Sequence, residues 1–518
     1  MCLQLNHTAS QRPDPTEPLV NELRQSLDDA IRFCTAESAG LGFLAFERRL
    51  WPMLMAFGRL LIALFLASRH RDLDLGAWVA CGRYRRRPDA PRTLRTRCGP
   101  VRYWRAYLAS RKGKQPGVHP LDVELGLTRD GFSPWLIHFV TRLATRMSYA
   151  AARRVCVYAL GWSPSTAAIE EMTLGLGRQA APYMKAAPAP QGEGEVLVIE
   201  VDGKCTPTAT AAELAKRRRK RRAKHDCGCG EGRSCQRHRG QQRRRDRGAK
   251  KRRKKGDHSK NGREITLVAM YTLRRGPDGK LHGPINKKVF GSYGGRAKAA
   301  KWARRQATKR GFGPGTDKKI EIIVDGAKGL WHRLKKQFPT AEFVVDVRHV
   351  QEKLWQAGRA FHKEGTAELA SWVKELEDLL FKDKAEDVLE RLKELQEQVP
   401  QSGPGTKTKR QALAKTIRYI EPRLEMMCYG KLQKQDLVIA SGVVEGAARY
   451  VVGERMDCAG MRWTVGRAEA LLQLRCIELN GDWEPFFDWA HARYVEQMHR
   501  GKAVRIMTDK PLNLAKAA

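Results

Sequence analysis

The chain has 518 residues, more than one ordinary domain holds, and 97 lysines and arginines against 56 acidic residues give it a formal charge of +41. Its composition is that of a globular protein, which excludes a fibrous chain, and so large an excess points to a polyanion as partner, nucleic acid above all. The 21 basic and three acidic residues from Lys216 to Lys255 hold less than half of the excess, so the basicity extends well beyond that segment.

The N-terminus, MCLQLNHTAS, is polar and without a secretory pattern, and twelve scattered cysteines fit reduced thiols; a cytoplasmic protein is expected. Residues 1–92 read as helical, with helix spacing over Glu22–Ala36 and Phe43–Leu75. Leu50–Ser68 is apolar enough to suggest a membrane span. Pro52 and Arg59 inside it and its charged flanks argue instead for a buried or self-associating helix, either a dimerisation element or plain core, and no membrane. Residues 93–181 combine a small hairpin, Thr93–Leu108 turning at Gly99 and Pro100, with helices over Ser133–Ala144 and Tyr149–Leu160 and a third capped by Ser163 or Ser165. The short link through Gly161, Trp162 and Ser163 fits a helix-turn-helix that reads DNA, and it fits any helical hairpin equally well. Pro182–Gly194 reads as a linker between domains.

Glu195–Gly203, EVLVIEVDG, then begins a different text. A continuous apolar run predicts a strand buried on both faces, ending in acids, and strand alternation sends Glu200 and Asp202 to the same side. A strongly basic excursion follows over 205–262, too polar to form a core of its own. It holds His225, Cys227, Cys229, Cys235 and His238, whose thiolate and imidazole groups read either as a Zn²⁺ site or as a reduced cysteine cluster. Strands over Ile265–Arg274 and Asn286–Tyr293 around a Gly276–Gly279 turn predict a hairpin, and Arg296–Arg310 a basic helix. Ile320–Lys328, IEIIVDGAK, is a second buried strand ending in Asp-Gly, at Asp325. A helix over Leu330–Gln337 and a strand over Glu342–Val345 lead into Asp346. Meander first, alternating helices and strands after, is the order of a ribonuclease H-like fold, in which the first and fourth strands are neighbours and Asp202 would face Asp325.

Residues 351–436 are helical and charged, with Leu369, Val373, Leu376, Leu379 and Leu380 at helical spacing and a break over Gln398–Thr408, and read as a helical insertion. The core is expected to resume over 437–490, with 491–518 as a tail. Glu445 lies among small residues with Arg449 one helical turn on, a spacing that also suits a plain surface ion pair.

The stretches VIEVDGK, KKGDHSKNG, YTLRRG, DGKLHGPINKK, ARRQATKRGF, EKLWQAGRAFH and ASGVVEGAARYVVGERMDCAGMRWTVGRAEALLQLRCIELNGDW resemble the IS-Kra-four family of bacterial insertion-sequence transposases, and the resemblance runs from about Gly99 to Phe487. It implies a mixed α/β protein: a ribonuclease H-like core with a helical insertion behind a mainly helical N-terminal DNA-binding region. It also implies an Asp-Asp-Glu triad of Asp202, Asp325 and Glu445, and the wider Mutator-type Asp-x-x-His, here Asp346 and His349. Where relatives often carry paired cysteines in the N-terminal region, this chain has Cys98.

Cutting DNA and joining its 3′ end is in-line phosphoryl transfer, which two Mg²⁺ or Mn²⁺ ions per site serve and which calls for hard oxygen ligands. The resemblance then assigns Asp202 to both ions and Asp325 and Glu445 to one each. His349 would orient the scissile phosphate or a displaced base, or be an ordinary helix N-terminal or core histidine; Asp346 would position His349, and Glu200 would stand behind. Lys251, Arg252 and Arg253 in the excursion, with the Lys298–Arg310 helix, would neutralise phosphates, and Arg449, Arg455, Arg462 and Trp463 would clamp or stack on the DNA end. The expected partners are the terminal inverted repeats, the target DNA and further copies of the chain, at the bacterial nucleoid. Two other readings stay open: a nuclease or integrase of the same fold that does not transpose, and an inactive DNA-binding relative.

Overall fold

The computed structural model describes residues 16–111, 117–216, 219, 262–313, 315–458, 461, 463–502 and 505–506. The candidate zinc ligands Cys227, Cys229, Cys235 and His238, the basic residues Lys251, Arg252 and Arg253, and Arg462 lie outside the described residues. Contacts divide the protein into two units, one built from Met1–Ala186 and Gly481–Pro511, the other from Ala187–Asn480.

In the first unit α1 (Glu17–Arg32), α2 (Phe43–Arg71) and α3 (Leu75–Ala80) precede an antiparallel ribbon of β1 (Tyr84–Thr96) and β2 (Gly99–Ser110). The ribbon starts inside the stretch expected to be helical, because pairing continues past a bulge between Arg87 and Ala90. Its inner face carries Leu94, Val101 and Tyr103, packed with Leu66 of α2 and with Leu121 and Leu127. Asp122, buried beneath them in α4 (Pro120–Glu124), pairs with Arg92 at 2.7 Å and with Arg105 and accepts the Tyr103 hydroxyl at 3.0 Å. Two of the ribbon's arginines thereby share this one carboxylate inside the unit. By length and composition α2 is apolar enough to cross a membrane. Of the two expectations, buried or self-associating, the first does not hold within this chain, since Leu66 is the helix's one buried residue and Phe43, Leu44, Trp51, Leu54, Leu61 and Phe65 are exposed.

Serines start the next three helices. Ser133 caps α5 (Pro134–Arg146), Ser148 caps α6 (Tyr149–Leu160), and the Ser165 hydroxyl accepts the Ala168 N–H at the start of α7 (Thr166–Ala186). Between α6 and α7, Gly161 takes a φ of +74°, a left-handed cap that glycine adopts without strain. The linker expected over 182–194 therefore begins only after Ala186. Tyr183, buried against Phe486 at 5.4 Å and Trp489 at 5.6 Å, keeps α7 helical through Pro182. Those aromatic partners belong to a helix over Trp483–His499, so 481–499, expected as the end of the core and the start of a tail, groups with the first unit.

The second unit is mixed α/β around one five-stranded mixed sheet. β3 (Val196–Pro207), β4 (Gly262–Arg275) and β5 (Leu281–Ser292) form an antiparallel meander. After α8 (Gly295–Lys309), β6 (Lys319–Val324) pairs parallel with β3; after α9 (Lys328–Gln337), β7 (Glu342–Val345) pairs parallel with β6. The order is β5-β4-β3-β6-β7, so the first and fourth strands are neighbours as expected. Both are buried through the apolar runs that predicted them, but β3 runs on past Asp202 to Pro207: the acid marks the end of burial, not of the strand. Helices α10 (Val347–Gly358), α11 (Ala367–Phe381), α12 (Ala385–Gln398), α13 (Thr406–Ile420) and α14 (Tyr429–Lys434) follow, and Leu369, Val373, Leu376 and Leu380 are buried as their spacing requires. Two helices close the unit, α15 (Gly442–Ala447) with Glu445 and α16 (Val465–Leu479).

Candidate functional site

Strand alternation explains why acids gather on one side of this sheet. The parallel register sets Glu200 beside Ile323 and Val201 beside Val324, and Glu321 beside Glu342. Residues two apart share a face, so Glu200 and Asp202 from β3, Glu321 and Asp325 along β6, and Asp346 just past β7 lie on the same one. The Asp346 N–H donates to the Val324 carbonyl at 3.0 Å and carries the ladder one step further.

The segment leading into α15 crosses that face, and three carboxylates of the sheet hold it. The Val438 N–H donates to Glu321 Oε2 at 3.2 Å, the Ser441 N–H to Asp346 Oδ2 at 3.1 Å, and the Val444 N–H to Glu200 Oε2 at 2.7 Å. The Ser441 hydroxyl also donates to Asp346, and the Tyr271 hydroxyl donates to Glu200 Oε1 at 2.6 Å. All three acids are fully buried, and Glu445 is the residue that follows the last of these contacts. Glu200 is thus the anchor of the helix that carries Glu445. Nothing in the sequence pointed to Glu321, Tyr271 or Ser441, although an acid inside the apolar run IEIIV was a visible signal.

Burial raises the Glu200 carboxyl to about 7 against the pull of its Tyr271 and Val444 donors, and burial raises Glu321 to about 8. The folded protein therefore keeps the Glu321 proton to about pH 8, while the unfolded chain loses it near 4.5, so this group's contribution to stability declines as pH rises through that window. Glu321→Gln is expected to make the fall of Tm with pH shallower and to raise Tm at about pH 8, a tenfold difference in proton affinity being worth about 1.4 kcal/mol. An unchanged slope in a calorimetric pH series would sink this account.

Asp202 and Asp325 are half-buried at the level where burial ends. Burial raises the pKa of Asp202, the Gly203 N–H at 2.6 Å opposes that, and the Asp325 charge raises it again, so the two carboxylates repel one another. The turn after Asp325 is pinned from α13 and the residues beyond it. The Tyr419 hydroxyl donates to the Asp325 carbonyl at 3.0 Å, and Arg423 donates to the Gly326 carbonyl at 2.9 Å. Gly326 has a φ of +80°, and Arg423 lies 2.7 Å from where a Cβ would stand, so only glycine fits there. Gly203, inside β3, has no such constraint.

Ligand atoms of Asp346, His349 and Glu445 lie within 4.8 Å of one another, near enough that together they could hold a metal ion. The Asp325 charge reaches Asp202 and His349, raising the pKa of both, but neither aspartate is part of that group. His349, one helical turn beyond Asp346, has its Nδ1 3.4 Å from Asp346 Oδ2, and this contact raises its pKa. Burial pushes Asp346 up, but donors from His349, Ser441 and the Arg348 N–H outweigh it and its carboxyl falls below the usual range. Glu445 pairs with Arg348 at 3.8 Å, not with Arg449, which is exposed.

Two residues expected on a DNA end are interior. Arg455 is 1% exposed with its guanidinium 5.0 Å over the ring of buried Trp463, so neither is offered to a phosphate or a base. Lys298 likewise pairs with buried Glu469 at 3.0 Å and Arg310 is buried with Glu193 at 3.6 Å, which leaves Lys301 and Arg305 as the exposed cations of α8. Compared with models of protein families and with curated proteins, the chain finds no match in either.

Proposed function

We propose that the chain is a DDE transposase with a ribonuclease H-like catalytic unit, of the insertion-sequence kind its sequence resembles, that cuts DNA at element ends and joins them to a target. The observation that carries this reading is the parallel pairing of β3 with β6, which brings Asp202 level with Asp325, on the face that also receives Glu445.

The residues fit divalent ions such as Mg²⁺ or Mn²⁺. The donors are mostly hard carboxylate oxygens, and the mutual repulsion of Asp202 and Asp325 is what a bound cation relieves. Asp202, Asp325 and Glu445 would hold the ions, with Asp346 and His349 beside Glu445. When bound, such ions supply Lewis-acid activation of the attacking and leaving oxygens of phosphoryl transfer. The chain's own part is geometric and electrostatic. Glu200, Glu321 and Asp346 fix the backbone that carries Glu445, and Asp346 favours the protonated form of His349, which can then donate to a phosphate oxygen.

Joining two DNA ends calls for more than one subunit, and the exposed apolar face of α2 is where we place the contact between copies. A monomer by light scattering, or flotation with lipid vesicles, overturns that assignment. The transposase itself is tested with the full-length protein, Mg²⁺ and oligonucleotides bearing the DNA that flanks its gene. Cleavage followed by joining supports it. Cleavage alone supports a nuclease of the same fold, and binding without either supports a DNA-binding protein whose acids are structural, a role Glu200 and Glu321 already show.

A further inference from the structure

The outer face of the β1–β2 ribbon is unlike the rest of the first unit. Residues 83–111 contain ten arginines and a single acid, Asp89. Arg92 and Arg105 turn inward to Asp122, and Asp89 is taken up by His70 at 3.2 Å and Arg86 at 3.9 Å. The arginines toward the ribbon's tip have no carboxylate of their own strands left to face. Register places Pro91 opposite Trp104, Thr93 opposite Arg102 and Arg95 opposite Pro100, and alternation turns this set outward, away from Leu94, Val101 and Tyr103. Trp104 is 55% exposed although it is the largest side chain on the ribbon. Near the ribbon's tip the Arg97 guanidinium lies 4.5 Å over the ring of Trp135, itself exposed, which holds a cation and an aromatic face side by side at the surface.

From this arrangement we propose that the outer face of the ribbon is a docking surface for duplex DNA, with Arg95, Arg97 and Arg102 on phosphates and Trp104 against the groove. A two-stranded ribbon has the width that the major groove of B-form DNA admits. The charge selects a polyanion, and exposed arginines interleaved with tryptophan suit phosphates flanking stacked bases. The surface needs neither the zinc-ligand candidates nor a recognition helix. It rests on the DNA-handling part of the proposed function and is independent of the metal chemistry.

The test uses full-length Asp202→Asn protein without divalent cation, so that failure of the catalytic reading leaves it intact. Binding to a labelled duplex is followed by anisotropy over a salt series. Each arginine that neutralises a phosphate contributes about 0.9 to the slope of log K against log salt, about eightfold in affinity at about 0.1 M salt. Arg95→Ala with Arg102→Ala is expected to lower the slope by about two. Lysines at both positions are expected to retain it, since they keep the charge. Trp104→Ala is expected to weaken binding with the slope unchanged. A double alanine variant with the parental slope and affinity overturns the proposal. So does one that loses binding to phosphatidylglycerol vesicles while its DNA curve stands.

Discussion

Asp202→Asn is expected to remove DNA cleavage and joining, by on the order of a thousandfold, while DNA affinity stays within about twofold. Asparagine keeps the shape of the side chain and an oxygen for the Gly203 N–H, so β3 and its register with β6 survive. What goes is the charge that Asp325 opposes across the strand boundary. Loss of that charge relieves the repulsion in the free protein and with it the reason to take up a cation. Calorimetric titration with Mn²⁺ supplies the second reading: the parent binds and the variant does not. Retention of cleavage within tenfold would sink the assignment of Asp202, whatever the fate of Asp325.

The second large effect is expected at Asp346, to which the sequence gives the positioning of His349 but no structural role. Asp346→Ala leaves the Arg348 N–H and both Ser441 donors without their acceptor in a buried place. Unmet buried donors and a lost charge of this kind cost about 3–5 kcal/mol, enough for a clear fall in Tm. Asp346→Asn separates structure from chemistry. It retains an acceptor for Ser441 but not the charge that raises the His349 pKa, so activity that depends on protonated His349 is expected to fall away at lower pH than in the parent. A pH–rate profile with unmoved limbs would rule out that role for His349.

The strands were legible because burial on both faces forces unbroken apolar runs, and VLVIEV and IEIIV could hardly be anything else. The two aspartates were legible for the same reason, as the points where those runs stop. What the text did not carry was commitment at a distance. Arg455 and Trp463 look alike on paper whether they face DNA or each other, and only their burial decides between these. Glu200 is secondary to Asp202 on paper, yet its oxygens reach Tyr271 and Val444, partners 71 and 244 residues away in the chain. The end of the linker was hidden too, because Pro182 announces a break that Tyr183, seated on aromatics from Trp483–His499, overrides.

That last helix also orders events in time. Residues 187–480 form one unbroken stretch, so the sheet and its acids are complete once Asn480 has been made, whereas residues 16–186 must wait for a segment almost 300 residues downstream. Contacts of such high sequence separation form late, since the last helix must first be made. During synthesis the acid-bearing unit is therefore free to fold first, nested between two halves of its neighbour, and the unit bearing the arginine ribbon is finished last. A chain that stops short at its C-terminus would keep the acids and the ribbon's own packing on Leu66, Leu121 and Leu127, and would lose the aromatic seat of Tyr183.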